Sequence, residues 1–167
     1  MHVRNLEVMT TFYKDVLGLV ETDRGTLNGR DVVFLSRDPD EHHQVILFSG
    51  LAEPPREEII NQISFRVPDL ETLIAFHSGV LANSRAEDIR PINHGNAWSV
   101  YFRDPEQNRI EVYVPSPWYV SQPCREPLEI GAGAAAIRTA TEAWCRAQPS
   151  FRSAEDFRAE VAARIAR

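Results

Sequence analysis

Three side chains in the second half of the sequence have the residue types of an acid–base site. His94, Tyr101 and Glu111 follow one another at spacings of seven and ten residues, within the stretches NHGNAWSVYF and NRIEVY. A histidine exchanges a proton near neutral pH, and a phenol can donate to a developing oxyanion. We therefore predict that His94 and Tyr101 line a pocket, with core packing as the alternative for Tyr101.

The polar residues around His94 support a pocket at this point of the chain. Asn93, His94 and Asn96 stand in a short loop, where packing alone does not account for such residues. Glu111 interrupts an otherwise apolar strand, in which Ile110 and Val112 would share the opposite face. We predict that Glu111 faces the pocket; an outward charge on an alternating strand is the alternative.

These residues lie in the second copy of an internal repeat. Residues 3–19, VRNLEVMTTFYKDVLGL, match residues 67–83, VPDLETLIAFHSGVLAN, at a constant offset of 64. The tripeptide Arg-Asp-Pro at residues 37–39 returns at residues 103–105, at an offset of 66. Two matched blocks at nearly equal offsets indicate the duplication of a unit of about 65 residues.

Each copy has the pattern of one strand, one helix and three further strands. Apolar residues at spacings of three and four predict helices over 6–17 and from residue 69 to about 81, with Gly18 as a stop. The stretches NQISFRV, DVVFLSR, HHQVILF, AWSVYFR and RIEVYV predict strands, joined by Asp-Pro turns. The sequence thus predicts an α+β fold of two tandem βαβββ modules, at 1–50 and 59–114, with a linker over 51–58.

The remaining residues, 115–167, depart from the repeat. A Pro-rich extended segment precedes two predicted helices, at about 134–147 and 154–166, the second with Ser153 and Asp156 as a capping box. The aromatic residues of this tail are expected to pack onto the sheet or onto a partner subunit. The tail is therefore the basis for predicting a homodimer.

Charge and composition exclude several functional classes. The net charge of −6 and the pI near 5.4, with arginines scattered among carboxylates, argue against nucleic acid and membrane surfaces as partners. No stretch has the length and apolarity of a signal peptide or a membrane span, so a cytoplasmic location is expected. Cys124 and Cys145 lack the spacing of a zinc or redox motif and are expected to be reduced thiols.

The repeated βαβββ unit, with FYKDVLGL on its first helix and YFRDPEQNRIEVY on its closing hairpin, resembles the vicinal oxygen chelate superfamily. That superfamily includes glyoxalase I, type I extradiol dioxygenases, and bleomycin and fosfomycin resistance proteins. The resemblance covers residues 3–114. It implies a cup-shaped mixed sheet around a divalent metal that is held by first-strand and last-strand residues, with a small molecule as substrate.

The resemblance places the expected site residues one by one. Glu111 takes the position of the last-strand metal ligand, and Gln62 takes the first-strand position that is usually histidine. An amide oxygen favours harder metals or none, so Gln62 is equally a metal ligand or a substrate hydrogen-bonder. Gln44 or Val45 stands opposite Glu111 in module one, and Gln44, with Asn96, is expected to bind substrate.

Two adjacent histidines precede Gln44. In a strand they would point to opposite faces, so at most one of His42 and His43 could face the cup. The favoured alternative is that both lie at the surface, at the end of a polar turn.

His94 and Tyr101 resemble the histidine and tyrosine with which extradiol dioxygenases orient substrate or oxygen, and this makes them the catalytic candidates. A dioxygenase acting on a small aromatic or vicinal-oxygen substrate is the leading expectation, with iron(II) as the first metal. A glyoxalase-like enzyme with nickel or zinc is the alternative enzyme, and manganese is a further candidate metal. The second hypothesis is a metal-free binding module of the bleomycin-resistance kind.

His2 is not the expected first-strand ligand of module one. At an offset of 64 it corresponds to Arg66, near the end of a strand, whereas the partner of Gln62 would precede residue 1. The leading strand of module one is therefore expected to be a stub, and its ligand histidine is absent from the chain. We expect that the start was assigned too late or clipped, and the alternative is that this copy has lost the ligand outright. An intact mass beginning at Met1 would refute the first expectation.

Overall fold

The computed structural model describes residues 1–53 and 60–166, and these form two compact units. The first unit comprises Met1–Ile63, Ala82–Glu87 and Arg103–Arg109. The second unit comprises Ser64–Leu81, Asp88–Phe102 and Ile110–Arg167. The α+β class is confirmed. The module boundaries at residues 50 and 59 stay a prediction, and residues 54–59, which include most of the predicted linker, lie outside the described residues.

The first unit contains helix α1 and a three-stranded antiparallel sheet. Helix α1 (Leu6–Leu17) begins where Asn5 Oδ1 accepts a hydrogen bond from Val8 N at 3.1 Å, and it ends at Gly18, whose φ is +67°. The predicted helix is confirmed. Its apolar face is buried, which contributes about 1.5–3 kcal/mol for each large side chain; the buried residues are Leu6, Met9, Phe12, Tyr13 and Leu17. The sheet has the order β1 (Val20–Leu27), β2 (Arg30–Ser36), β3 (Val45–Phe48).

The first residues of the chain form a short parallel bridge to β3. Val3 N donates to Phe48 O at 2.8 Å, and Phe48 N donates to Met1 O at 2.8 Å. His2 is exposed, and its Nδ1 lies 3.0 Å from Nη1 of Arg30. These residues occupy the place of the stub strand that the repeat predicts.

His42 and His43 lie outside the strand that was predicted to contain them. The strand β3 begins at Val45, and both histidines are exposed, with their Nδ1 atoms 3.0 Å apart. Backbone hydrogen bonds close the turn that contains them, from Gln44 N to Leu35 O at 2.8 Å and from Glu41 N to Asp38 O at 3.2 Å. Thr22 Oγ1, on β1, also donates to His42 O at 2.7 Å. The surface alternative is therefore the one that the structure supports.

The second Asp-Pro turn belongs to the first unit and contains a buried carboxyl group. Asp104 Oδ1 accepts hydrogen bonds from the backbone N–H groups of Glu106 and Asn108, both at 2.9 Å. Its Oδ2 accepts from Asn108 Nδ2 at 2.8 Å and from the hydroxyl of Tyr13 at 3.3 Å. Burial is the largest influence and raises the pKa of Asp104, although its hydrogen bonds act in the opposite direction.

The second unit is built on a five-stranded sheet with α2 (Leu70–Leu81). The order of the strands is β4-β7-β6-β5-β9, so β7 lies between β4 and β6. The last of these strands comes from the tail, which the sequence had predicted only as an extended segment. The strands are β4 (Ile63–Arg66), β5 (Glu87–Asn93), β6 (Ala97–Arg103), β7 (Arg109–Pro115) and β9 (Glu126–Pro127).

The tail folds as part of the second unit. The strand β8 (Trp118–Tyr119) pairs antiparallel with β10 (Arg152–Ser153), and the two predicted helices are α3 (Ala134–Arg146) and α4 (Ala154–Ile165). Helix α4 begins as predicted, because Ser153 Oγ accepts from Asp156 N at 3.0 Å. The buried face of α3 comprises Ile137, Thr141 and Cys145 at a spacing of four. In the described part of the chain, no helix combines the length and apolarity needed to cross a membrane.

Candidate functional site

Glu111 is the centre of the site in the second unit. It lies on β7 between two buried residues and is itself only 8% exposed. Ser64 Oγ, from β4, donates to its Oε2 at 2.6 Å. On the other side, the hydroxyls of Ser99 and Tyr101, from β6, donate to its Oε1 at 2.7 and 2.6 Å. Glu111 is therefore a buried acceptor and not an outward surface charge.

The three hydroxyl donors explain how this carboxylate tolerates burial. Removing a carboxylate from water is costly unless hydrogen bonds replace those of the solvent. A hydrogen bond to a charged group contributes about 1.5–3 kcal/mol, roughly twice the value for a neutral pair. Ser99 is fully buried, so its hydroxyl has no competing water. The hydroxyls of Ser64, Ser99 and Tyr101 thus surround Glu111, and we call these three groups the hydroxyl ring.

His94 extends this cluster by two further hydrogen bonds. Its Nε2 lies 3.0 Å from the hydroxyl of Tyr101, and its Nδ1 lies 2.6 Å from the carbonyl oxygen of Cys124. The rings of His94 and Tyr101 are T-shaped, with centroids 5.9 Å apart. The result is a continuous chain from the Cys124 carbonyl through His94 and Tyr101 to Glu111, which we call the relay.

The relay has a defined proton count. A carbonyl oxygen only accepts, so Nδ1 of His94 carries a proton. The Tyr101 hydroxyl has one proton and lies within hydrogen-bonding distance of both Nε2 of His94 and Oε1 of Glu111. If it donates to Glu111, then Nε2 must also be protonated to donate to Tyr101; if it donates to Nε2, then Glu111 must be protonated. Either fully bonded form holds one proton more than neutral His94 with ionised Glu111.

The turn that carries His94 is held in place by the tail. Gln122 Nε2 donates to His94 O at 2.9 Å, and Ser116 Oγ donates to Gly95 O. Thr141 on α3 accepts from Asn93 Nδ2 at 3.2 Å. Its hydroxyl oxygen also accepts from Trp98 Nε1, at 2.8 Å. The tail is therefore part of the framework that orients the histidine.

Gly95 fits this turn because it lacks a side chain. Its φ is +75°, a region that glycine adopts without steric cost. A Cβ at this position would lie 2.5 Å from Cγ2 of Val120 and 3.1 Å from the ring of Trp144. The backbone of the turn therefore approaches the tail as closely as packing allows.

The other predicted site residues are distributed as follows. Gln62 is half-buried and lies one residue before β4, on the same alternating face as Ser64. Asn96 is half-buried beside the His94 turn, and its backbone oxygen accepts from Ser116 N at 2.9 Å. Gln44 belongs to the first unit, where its Oε1 accepts from Arg37 N at 2.9 Å. The structure thus brings His94, Tyr101 and Glu111 together and leaves the roles of the three amides as predictions.

Ser64 and Ser99 were missed by the sequence analysis. Serine is common on strands and gives no motif, but alternation offered a signal for both residues. Ser99 and Tyr101 share a face of β6, and Ser64 shares a face with Gln62. Pairing these faces with that of Glu111 would have predicted the hydroxyl ring.

The described residues do not fit the metal centre of an extradiol dioxygenase. Such a centre needs two histidines and one carboxylate. Over residues 1–53 and 60–166, no group of three or more His, Cys, Asp or Glu side chains could hold a metal ion. His94, the histidine of this site, is bound to a carbonyl and a hydroxyl, and both oxygens of Glu111 accept hydroxyl protons. Gln62 would add only a neutral oxygen.

The two cysteines near the relay are unsuited to nucleophilic chemistry. Burial raises the pKa of the Cys145 thiol to about 11. Burial, and secondarily the charge of Glu126, raise the pKa of Cys124. Because the thiolate is the reactive form, both thiols are poor nucleophiles at neutral pH. The reactive groups of the site are therefore those of the relay.

Comparisons with known proteins agree with the fold and with the predicted family. Biphenyl-2,3-diol 1,2-dioxygenase 3 of Rhodococcus globerulus is 32% identical over 119 residues, which are 68% of this chain and 60% of that protein. The chain therefore matches less than two thirds of that relative's length.

Two solved structures share the fold at low identity. A glyoxylase/bleomycin resistance protein/dioxygenase domain from Frankia sp. EAN1pec matches with a TM-score of 0.59 and 17% identity, over 69% of this chain and 87% of that one. The fosfomycin resistance protein FosX from Listeria monocytogenes, complexed with Mn(II) and sulfate, matches with a TM-score of 0.54 and 16% identity, over 70% and 88%. The family model of the Glyoxalase/Bleomycin resistance protein/Dioxygenase superfamily matches residues 1–112. The chain therefore belongs to this superfamily, as the repeated βαβββ pattern predicted.

Proposed function

We propose that the second unit contains an acid–base site that binds a small compound with two vicinal oxygens, of which a catechol is the simplest aromatic example. The observation that carries the proposal is the relay, in which Tyr101 joins a buried carboxylate to a histidine. The name of the 32% identical relative, a dioxygenase of biphenyl-2,3-diol, directs the choice of an aromatic diol.

The proton count explains why the relay would act as a base. When His94 is neutral and Glu111 is ionised, the Tyr101 hydroxyl can donate its single proton to only one of them. The Tyr101 oxygen then faces the other acceptor, Nε2 of His94 or Oε1 of Glu111, with no proton between the two atoms. A proton from the diol removes this unfavourable contact and completes the chain of hydrogen bonds. The proton is then held at Nε2 of His94 or on the carboxyl group of Glu111, and it can return to a product oxygen.

The residue types are those of the dioxygenase branch, but the proposal stops at binding and deprotonation of the diol. Oxidative ring cleavage requires a divalent metal, for which iron(II) was the first expectation. The described residues supply one carboxylate for that centre, Glu111, but no histidine, because both ring nitrogens of His94 already have hydrogen-bond partners. These residues therefore account for binding and deprotonation of the diol and not for its reaction with oxygen. Oxygen uptake with catechols after anaerobic loading with iron(II) would assign ring cleavage.

Calorimetric titration of the protein with catechol and with biphenyl-2,3-diol tests the proposal. In this mechanism the proton that leaves the diol stays in the complex, so the diol ionises without net exchange of protons with the buffer. The ultraviolet absorption of a catechol shifts to longer wavelength when it ionises, which reports the state of the bound diol, while calorimetry gives its affinity. We expect wild type to bind the diol as its monoanion, and Tyr101→Phe to bind it in the neutral form and at least about tenfold more weakly, because loss of the hydroxyl disconnects both neighbours. Tyr119→Phe, a tyrosine of the same unit outside the relay, is the matched control. Equal affinity and an equal absorption shift for wild type and Tyr101→Phe would refute the proposal.

A metal-free binding module of the bleomycin-resistance kind is the second candidate. The hydroxyl ring around Glu111 favours it, because the carboxylate is already bound by three donors. This function predicts reversible binding without any product after prolonged incubation, with or without added metal. A glyoxalase-like isomerisation would instead show turnover of a substrate without consumption of oxygen.

A homodimer and a cytoplasmic location remain predictions. The prediction of a homodimer rests on the aromatic residues of the tail. Two of them, Tyr119 and Phe157, stack on each other within the second unit, with ring centroids 4.0 Å apart. Sedimentation of the purified protein would test whether it forms a dimer. A monomeric mass would contradict it.

A further inference from the structure

We propose that Arg125 makes the site selective for substrates that carry an anionic group, so that the preferred class is a diol or phenol bearing a carboxylate. This inference rests on the proposed function of the same site and names its substrate class. It is carried by the position of Arg125, its charge environment and the cavity that it lines.

Arg125 lies directly against the relay. Its guanidinium carbon is 5.9 Å from the centroid of the Tyr101 ring, within the range of a cation–π contact. The preceding residue, Cys124, supplies the carbonyl that binds His94. The following residue, Glu126, pairs with Asn93 in the register of β5 and β9. Both neighbours of Arg125 are thus fixed to the turn that carries the histidine.

The charge of Arg125 is available to a ligand. Arg125 is exposed, and among the described residues no carboxylate lies within 4.0 Å of its guanidinium. Five other arginines of the second unit differ, because each has a carboxylate partner; the pairs are Arg90–Asp88, Arg138–Glu71, Arg146–Glu142, Arg152–Glu160 and Arg164–Glu160. The negative charge of Glu111 is met by hydroxyls. An anionic substituent would therefore give this guanidinium a partner that it otherwise lacks.

A cavity of about 250 Å³ adjoins this position in the second unit. Arg125 and Cys124 line it together with Ser121, Ser150 and Trp144. Its volume is below the roughly 300–1,000 Å³ of a pocket for a whole drug-sized ligand, so it suits a substituent rather than the complete molecule. The residues that line the cavity include one cation, Arg125, and one carboxylate, Glu126. An anion that enters the cavity would therefore bind at Arg125.

The chemistry of the guanidinium determines the kind of anion. Its planar array of N–H donors matches the two oxygens of a carboxylate, whereas an ammonium group offers only a point charge. Because Arg125 is exposed, the gain is moderate and is weakened by salt. We expect about a tenfold preference for a carboxylate over its neutral amide at low ionic strength, falling toward equality at high ionic strength.

The test compares three ligands: catechol, 3,4-dihydroxybenzoate and 3,4-dihydroxybenzamide. Their affinities are measured by calorimetry for wild type, Arg125→Gln and Arg125→Lys, at low and high salt. The matched control is Arg158→Gln, which removes the same charge from an exposed position on α4 in the same unit. We expect Arg125→Gln to lose the preference for the carboxylate, Arg125→Lys to keep part of it, and Arg158→Gln to leave it unchanged.

The outcomes separate this inference from the proposed function. If the wild type binds all three ligands equally, or if Arg125→Gln keeps the full preference, the role of Arg125 is overturned while the diol site stands. If Arg125→Gln weakens the neutral and anionic ligands alike, Arg125 acts through the Tyr101 ring, and selectivity is again overturned. If no diol binds to the wild type, both proposals fail.

Discussion

Replacing Gly95 by alanine tests whether the tail holds His94 in place. The new Cβ would lie 2.5 Å from Cγ2 of Val120 and 3.3 Å from Sγ of Cys145. Cys145 is fully buried and Val120 almost fully buried, so neither side chain has room to move away from the new Cβ. The substitution should therefore both destabilise the protein and displace the turn that carries the histidine.

The magnitude follows from two separate costs. An alanine at a φ of +75° costs about 1–2 kcal/mol relative to glycine. Forcing extra volume into a packed site costs typically about 1–3 kcal/mol more. We therefore expect the free energy of unfolding to fall by roughly 2–5 kcal/mol, and diol binding to weaken even in protein that remains folded. Denaturant unfolding monitored by tryptophan fluorescence measures the first effect, and calorimetry measures the second.

Gly29→Ala and Gly79→Ala are the controls that separate these costs. Gly29 also has a positive φ, of +76°, but nothing lies within 4 Å of a Cβ there, so it carries only the backbone cost. Gly79 lies on α2 with open space around it, and alanine should stabilise the helix by up to about 1 kcal/mol. If Gly95→Ala costs no more than Gly29→Ala, or leaves diol binding intact, the argument that the tail clamps this turn is refuted.

Three further predictions concern single polar groups. Ser99→Ala removes one buried donor from Glu111 and should lower the free energy of unfolding by about 1–3 kcal/mol in urea, whereas an unchanged midpoint would contradict the hydroxyl ring. The Cys145 thiol, with its pKa near 11, should resist alkylation at pH 8, where roughly one molecule in a thousand is the thiolate, and react only in denaturant; labelling of the native protein within minutes, detected by peptide mass, would contradict this. Because burial raises the pKa of Asp104 in the folded protein, its protonated form stabilises the fold. This stabilisation is complete below the pKa of the unfolded chain, about 3.9, and is lost as the pH rises through the pKa of the folded protein. The stability advantage of wild type over Asp104→Asn should therefore shrink as the pH rises from roughly 3 to 7, and an advantage that is constant or grows across urea titrations would count against it.

Local patterns were sufficient to predict the helices. Helix α1 could be predicted because its buried residues recur at spacings of three and four, and because glycine follows its last turn. His94, Tyr101 and Glu111 were singled out by residue type and by the family resemblance; the structure brings them together, and their roles stay predictions. The start of β3 was predicted too early, because the backbone hydrogen bonds that close the preceding turn leave no mark in the sequence.

The contribution of the tail to the site could not be read from the sequence. Many of its contacts are made to backbone atoms, such as the carbonyl of Cys124 and those of His94 and Gly95. Every residue has such atoms, so composition and periodicity carry no signal for them. The hydroxyl ring was missed for a related reason: serines become informative only when the pairing of β4, β7 and β6 is known.

Residues 116–141 hydrogen-bond to the His94 turn, so a chain can contain all three site residues and still lack the contacts that position the histidine. The superfamily match ends at residue 112, so it includes His94, Tyr101 and Glu111 but none of the tail groups that hold the histidine and its turn. A ribosome that has just completed β7 has made each of the three residues, yet the histidine has no carbonyl for its Nδ1 until Cys124 emerges. A protease that separates Cys124 from the rest of the chain would likewise remove the acceptor of the His94 Nδ1 proton and leave His94, Tyr101 and Glu111 intact.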